Sequence, residues 1–508
     1  MFNPLERNMK AIKNPILLTD GYKFCHKDQY PEGLEWTYET WIPRKSRVDG
    51  VNHVIFFGLQ GMLCEMVKSF EEGFFSRPLS EVMAEIRENL EGVFSKTNPE
   101  MVNEYDYSHF EKLHKLGYLP IKIKAVKEGT FIPIGVPMFT IENTHKDFFW
   151  LPGYLETQMS SYIWQTMTDA TLANYYKRVL MDGAKRTGAN INAVECQAGD
   201  FSMRGMGSPE AAYRAGAGHL LSFGASATIP TRNYLKAFYN ASPDVITYAP
   251  STEHSVMCSY GTDEKKAFLE LITKVYPSGT VTIVADSYDF WNIVDRVLPD
   301  IKDVILSRKG RVNIRPDSGD PVKIICGDES SENDTIKKGL VERLYEIFGG
   351  IVNEKGFKEL DPHIGVIYGD SITVERAKQI VNNLIEKNFV STSAGLGVGS
   401  YTYQYMTRDT LGFALKGTAE IIDGQFKKIY KDPKTDLENF KRSKKGMVAV
   451  VFEEGTYKCI DYLNPDTEPF IINNELQEVF RDGRFTRIQD FESIRQRVKD
   501  ESIRVYGI

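Results

Sequence analysis

The sequence predicts a multi-domain α/β protein: an irregular β/α-barrel-like domain combined with a β-rich domain assembled from both chain ends. Three observations carry this. Between about residues 190 and 400, short apolar runs end in polar, chemically capable residues and lead into helical patterns, the rhythm of parallel strands. Residues 119–143 alternate apolar and polar, with Gly and Pro between short runs, as antiparallel strands do. An antiparallel pattern returns after residue 410.

Taken in order, the elements fit this plan. Residues 1–60 are mixed, with a loop at Pro43–Gly50, and residues 55–118 read as amphipathic helices such as SEVMAEIRENLEGVF. A long helical pattern runs from Leu151 to Arg186. In the central segment, VTIVA leads to Asp286, RVNI to Arg315 and IGVIY to Gly369-Asp370. The next helix places Val374, Ala377, Val381, Leu384 and Ile385 on one face. Polar groups repeated at the carboxyl ends of parallel strands are how a β/α barrel or an open α/β sheet builds a site; the barrel is favoured. After residue 410, Asp423-Gly424 and Glu454-Gly455 read as hairpin turns, with KRSKKG (441–446) between them. The expected division is 1–150 as an N-terminal helical and β-rich region, 151–410 as the catalytic barrel-like domain and 411–508 as a C-terminal β-rich segment packing with the first.

Composition excludes several classes. The 508 residues include 29 Phe, 26 Tyr and 5 Trp, which need a buried core and rule out general disorder. The 62 basic and 69 acidic residues give −7, against a general nucleic-acid or anionic-membrane binder. Six cysteines lie at least 39 residues apart with no CxxC pair, so neither a zinc ribbon nor a redox motif is encoded. The N-terminal residues lack the apolar core of a signal peptide, and apolar stretches are too short to span a membrane. A cytoplasmic protein is expected, with no nucleic-acid or membrane partner.

Individual motifs each have a plain alternative. Ile314-Arg315-Pro316-Asp317-Ser318-Gly319 could present a cation and a carboxylate to a phosphorylated sugar or Mg²⁺; it could equally be a β-turn with a surface ion pair. Gly395 to Ser400 could cradle a phosphate on backbone N–H groups, or be a plain loop; no Lys-Ser/Thr follows to make a P-loop. His254, between Glu253 and Ser255, could act as acid, base or phosphoryl acceptor oriented by Asp286, or be a structural histidine. Asp200, Phe201 and Arg204 offer an aromatic face and a guanidinium, or core packing and a surface arginine. Zinc motifs are absent, and Ile283-Val-Ala-Asp286-Ser only half matches a type I phosphoribosyltransferase signature.

Together and in this order, the segments resemble the nicotinamide phosphoribosyltransferase family, which are type II phosphoribosyltransferases. The resemblance runs through LLTDGYKFCHKDQYP (17–31), GDFSMRG (199–205), STEHS (251–255), VADSYDFWN (284–292), IRPDSGDP (314–321), YGDSI (368–372), MTRD (406–409) and KDP…KRSKKG (431–446). It implies transfer of a phosphoribosyl group from 5-phosphoribosyl 1-pyrophosphate to nicotinamide, giving nicotinamide mononucleotide and pyrophosphate in NAD salvage. It implies Mg²⁺, ATP as an optional coupling substrate, and a head-to-tail homodimer with shared active sites. Phe201 and a Tyr22 from the second subunit would sandwich the base. Arg315 and Arg204 would serve base and pyrophosphate, and Asp317 and Asp370 the ribose hydroxyls. His254, supported by Asp286 and Glu253, matches the histidine that ATP phosphorylates. Gly369 and Gly399 would hold the 5′-phosphate, and Arg44, Arg408, Lys416, Lys431 and Lys441 would collect phosphates.

Four positions depart from the family pattern. Ala227 stands where nicotinamide-specific members carry an aspartate that binds the amide. Ser400 replaces a glycine, Ala414 a serine among the phosphate ligands, and Asn313 an apolar residue of the base tunnel. These keep two alternatives open: nicotinate as the base, and an ADP-ribosyl pyrophosphate donor that would yield NAD directly. A non-catalytic nucleotide sensor is a further alternative, and the retained His254, Asp286, Arg315, Asp317 and Asp370 argue against it.

Overall fold

The computed structural model describes residues 13–369, 371–435 and 442–508, and two compact units emerge. One comprises the chain up to Thr168 with Thr407–Glu501, the other Asp169–Met406 with Ser502–Ile508. The long helix Leu151–Thr187 contributes to both.

The first unit is built on a seven-stranded sheet in the order Gln425–Lys428, Phe413–Ile422, Leu34–Pro43, Phe139–Asn143, Ile121–Ala125, Gln477–Arg481, Arg484–Phe485. Both chain ends supply strands, and every pairing is antiparallel. Ile121–Ala125 alternates buried and half-buried residues, the period-two pattern read from the sequence. At the centre Trp41 stacks between Phe139 and Phe413, with centroids 5.7 and 5.4 Å away. The hairpin turns fall at Asp423-Gly424 and Glu454-Gly455, each with positive φ at both residues. The amphipathic region forms Leu59–Phe70, Leu79–Phe94, Pro99–Glu104 and Ser108–Leu116.

The second unit holds six parallel strands in the order Ala225–Ser226, Ala198–Asp200, Ala394–Val398, Ile364–Tyr368, Val312–Arg315, Val281–Val284. Helices lie between them in sequence. Ser208 caps Pro209–His219, and Thr373 caps Val374–Glu386 by accepting from Arg376 N at 3.2 Å. The buried stripe of the latter is Ala377, Ile380, Val381 and Leu384; Val374 and Ile385 sit half-buried at its edges, because i, i+3, i+4 spacing centres on Ile380.

Residues 247–252 bond to both edge strands. Ser226 N donates to Thr247 O at 3.3 Å and Thr247 N to Gly224 O at 2.7 Å. At the other edge Thr282 N donates to Pro250 O at 2.8 Å and Thr252 N to Thr282 O at 3.0 Å. Parallel bridges Ala225–Thr247 and Ser251–Thr282 make this segment a rudimentary seventh stave. The result is an irregular β/α barrel.

Candidate active site

Strand register decides which side chains share the inner face of this barrel. Asn313 pairs with Thr282 on one side and Gly365 on the other, Ile367 with Gly395, and Gly397 with Gly199. Alternation adds Arg315, Gly369 and Phe201 to that face at the carboxyl ends of the strands. Much of the face is therefore glycine. A Cβ at Gly397 would lie 2.6 Å from the Phe201 ring, and one at Gly369 would lie 2.3 Å from Asp317 Oδ1 and 2.7 Å from Arg315 Nε. The missing side chains leave a cavity of about 1000 Å³, open to solvent.

Eight residues singled out in the sequence line that cavity: Phe201, Arg204, Ala227, Arg315, Asp317, Gly369, Gly399 and Ser400. Phe201 is held by its N–H on Val398 O at 2.9 Å, and Tyr248 stands edge-on to it with centroids 6.3 Å apart. Arg315 forks to Asp317: Nη2 to Oδ2 is 3.0 Å and Nε to Oδ1 3.4 Å. Its Nη1 reaches back to Ser251 Oγ at 3.3 Å and Thr252 O at 3.5 Å.

His254 and Asp286 adjoin this pair. His254 begins the short helix His254–Cys258, and its Nε2 is 3.1 Å from Asp286 Oδ1. Asp286 Oδ2 accepts from Asp317 N at 3.0 Å and Ser318 Oγ at 2.6 Å, so one nearly buried carboxylate ties the imidazole to the loop that carries Asp317 and Ser318. Glu253 does not support the imidazole as expected. Its carboxylate accepts from Ser255 Oγ, and the bond to the imidazole comes from Asp286.

The cations expected from elsewhere in the chain lie in the first unit, as does Tyr22. The Tyr22 ring is 54% exposed and edge-on to His26. Arg44 Nε donates to Gly412 O at 3.0 Å, Arg408 lies 3.7 Å from Asp409, and Lys431 N donates to Ser443 Oγ. Lys416 pairs with Glu156 at 3.2 Å, which also holds Lys23 at 2.8 Å. Asp370 and Lys441 lie outside the described residues.

Three features escaped the sequence reading. Asp200 is fully buried; Oδ1 accepts from Ser202 N at 3.0 Å and Ser202 Oγ at 2.7 Å, and Oδ2 from Ser226 Oγ at 2.9 Å. It thereby fixes the residues flanking Phe201 and Ala227. Asp169, buried beside it, has its carboxyl held well above the usual range by burial and by the Asp200 charge. Tyr401 and Tyr405, on the cavity wall just past Ser400, stack with centroids 5.1 Å apart and planes 6° from parallel, yet are 56% and 74% exposed. Their i, i+4 spacing was the available signal.

Among the described residues no group of three or more His, Cys, Asp or Glu gathers to hold a metal ion, and no helix is long and apolar enough to cross a membrane.

A parallel barrel with an aromatic wall, a glycine floor and a cation–carboxylate fork at the strand ends defines a type II phosphoribosyltransferase. Two solved structures share the fold: nicotinate-nucleotide pyrophosphorylase from Pyrococcus furiosus (TM-score 0.58, 14% identity, 100% of both chains) and human nicotinic acid phosphoribosyltransferase (TM-score 0.56, 15% identity, 96% of this chain and 94% of that one). Residues 196–484 match the nicotinate phosphoribosyltransferase (NAPRTase) family, and residues 14–123 match the nicotinamide phosphoribosyltransferase N-terminal domain. The nicotinamide phosphoribosyltransferase of Acinetobacter baylyi is 40% identical, covering 96% of this chain and 97% of that protein. Its counterpart in Xanthomonas campestris is 31% identical over 96% and 98%. The chain belongs to the nicotinate phosphoribosyltransferase family.

Proposed function

We infer that the protein is a pentosyltransferase moving the phosphoribosyl group of 5-phosphoribosyl 1-pyrophosphate onto the ring nitrogen of nicotinamide, a step of NAD salvage. The carrying observation is the meeting, in one cavity, of the Phe201 face, the Arg315–Asp317 fork and the Gly369 floor. The C1′–oxygen bond to pyrophosphate breaks as the C1′–nitrogen bond forms, and pyrophosphate leaves with its electron pair. Neutral nicotinamide attacks through a ring nitrogen that carries no proton, so the residues need not supply a general base. Phe201 orients the flat base, Asp317 meets a ribose hydroxyl, and Arg315 with Arg204 faces charge developing on the leaving group. In our reading Mg²⁺ would arrive on the donor's phosphates rather than in a protein cage, since both oxygens of Asp286 and of Asp317 already have protein partners.

ATP coupling through His254 belongs to the same proposal. With the proton on Nε2 toward Asp286, the lone pair lies on Nδ1, where a phosphoryl group could be accepted. So do a cytoplasmic location and a homodimer with shared sites; for the homodimer, the support is the exposed Tyr22 ring. Mixing inactive Tyr22→Ala and Phe201→Ala subunits should then restore part of the activity, because one site of each mixed dimer keeps both rings.

The stacked Tyr401–Tyr405 pair beside Ser400 favours a second reading, an ADP-ribosyl pyrophosphate donor whose adenine lies on that platform and whose product is NAD. Mass-spectrometric product analysis with both donors separates the two readings. The extended donor requires NAD to appear, and requires Tyr405→Ala to cost about tenfold in kcat/KM for that donor. Nicotinamide mononucleotide from the short donor alone would sink it, and no product from either donor would sink both.

A further inference from the structure

Two neighbouring strands of the barrel, Ile364–Tyr368 and Ala394–Val398, run parallel and lead into Gly369 and Gly399. Their shared ladder ends at the Tyr368–Leu396 pair, so pairing between them does not fix the spacing of the chain beyond. A different contact does. The Tyr176 hydroxyl, carried on the long helix Leu151–Thr187, lies 2.9 Å from Ile372 O and 2.8 Å from Thr402 Oγ1. Thr402 Oγ1 is itself 3.2 Å from Ile372 O. All three residues are buried.

Two hydroxyl protons supply this triangle. One hydroxyl donates to the Ile372 carbonyl while accepting from the other, and either can take either role. Helix, first loop and second loop are thereby joined at one point. Ser371, on the cavity wall, needs such support: its φ of 50° is left-handed without being glycine, a conformation that lasts only where the surroundings hold it. Arg376 Nη1 also donates to Ser371 O, at 2.6 Å. The Ser400–Tyr403 turn of helix is pinned a second time, because Tyr403 Oη lies 2.6 Å from His219 Nδ1. His219 Nε2 faces Ala225 O at 3.1 Å, so Nε2 carries the proton and Nδ1 accepts from the tyrosine.

We propose that Tyr176, acting with Thr402, is a positioning residue for the 5′-phosphate: its hydroxyl sets the gap between the Gly369 and Gly399 loops in which that phosphate sits. Neither Tyr176 nor Thr402 lines the cavity, so each acts only through the loops. This rests on the reading that Gly369 and Gly399 hold the donor's 5′ end.

The test compares the binding of nicotinamide mononucleotide and of nicotinamide riboside, which lacks only the 5′-phosphate, to the wild type, Tyr176→Phe, Thr402→Val and Thr402→Ser. Titration calorimetry gives each affinity, and thermal unfolding checks folding. The wild type should bind the mononucleotide about tenfold or more tighter, the worth of charge-assisted contacts to the phosphate. Equal wild-type affinities would overturn the underlying reading and the proposal with it. Tyr176→Phe and Thr402→Val should each lose about fivefold for the mononucleotide, the worth of one hydrogen bond, and less than about twofold for the riboside. Thr402→Ser keeps the hydroxyl and should match the wild type. Where the wild type does discriminate, equal losses for both ligands, or a mononucleotide affinity unmoved by Tyr176→Phe, would overturn the assignment and leave the phosphate reading standing.

Discussion

Gly369→Ala tests whether the glycine floor is part of the catalytic geometry. The new Cβ would stand 2.3 Å from Asp317 Oδ1 and 2.7 Å from Arg315 Nε. Non-bonded contacts settle near 3.5 Å, so the carboxylate must retreat by about 1 Å. The guanidinium must give way with it, since both atoms belong to one fork. A displacement of about 1 Å at a reacting centre costs on the order of 100-fold in rate, or about 2.7 kcal/mol. Steady-state formation of nicotinamide mononucleotide measures this, with thermal unfolding as the check on folding. Gly395→Ala is the internal control: it lies on the same face, but its Cβ would meet Val366 O and Ile367 at 3.4–3.6 Å, ordinary contact distances. It should stay within about twofold, as a substitution that displaces nothing. Wild-type kinetics in Gly369→Ala, or an equal loss in Gly395→Ala, would refute the steric reasoning.

Three further outcomes are expected. Phe201→Leu keeps an apolar contact and loses ring stacking, so KM for nicotinamide should rise about threefold to tenfold, from an aromatic contribution of about 0.5–1.5 kcal/mol. Asp200→Ala strands Ser202 N and the hydroxyls of Ser202 and Ser226, and urea unfolding should show a loss of about 3 kcal/mol. In the first unit, burial and the Glu156 charge push Glu39 up to about 7, against the pull of Lys23 and Lys416. Its folded-state pKa exceeds the unfolded value of about 4.3, so wild-type stability should fall as pH rises from about 4 to 7 and level off above. Glu39→Gln should flatten that slope and gain about 3 kcal/mol at pH 8; identical pH profiles of the two proteins would contradict it.

Elements with strong local chemistry were legible in the sequence. Asp423-Gly424 and Glu454-Gly455 announced hairpins because two successive residues with positive φ suit few other pairs. Arg315, Asp317, Gly369 and Gly399 stood out because each lies at or within two residues of the carboxyl end of an apolar strand. The closing stave was not legible, although a barrel was favoured: it contains Pro250 and touches each edge through isolated bridges, so no strand periodicity marks it. Asp200 read as an ordinary acid beside an aromatic, since its three donors come from residues whose placement depends on the finished barrel. Nor could periodicity show that Lys416 meets Glu156, 260 residues away in the chain.

The stave that closes the barrel leads directly into His254. It is latched to one edge strand by Thr247 and to the other by Pro250 and Thr252, so it can unlatch without unpairing any of the six strands. Arg315 is a further clasp, since its guanidinium holds Ser251 and Thr252 with one arm and Asp317 with the other. A phosphate that drew Arg315 toward itself would slacken this clasp. Filling the donor site and loosening the loop that carries the histidine would then be two readings of one guanidinium's position.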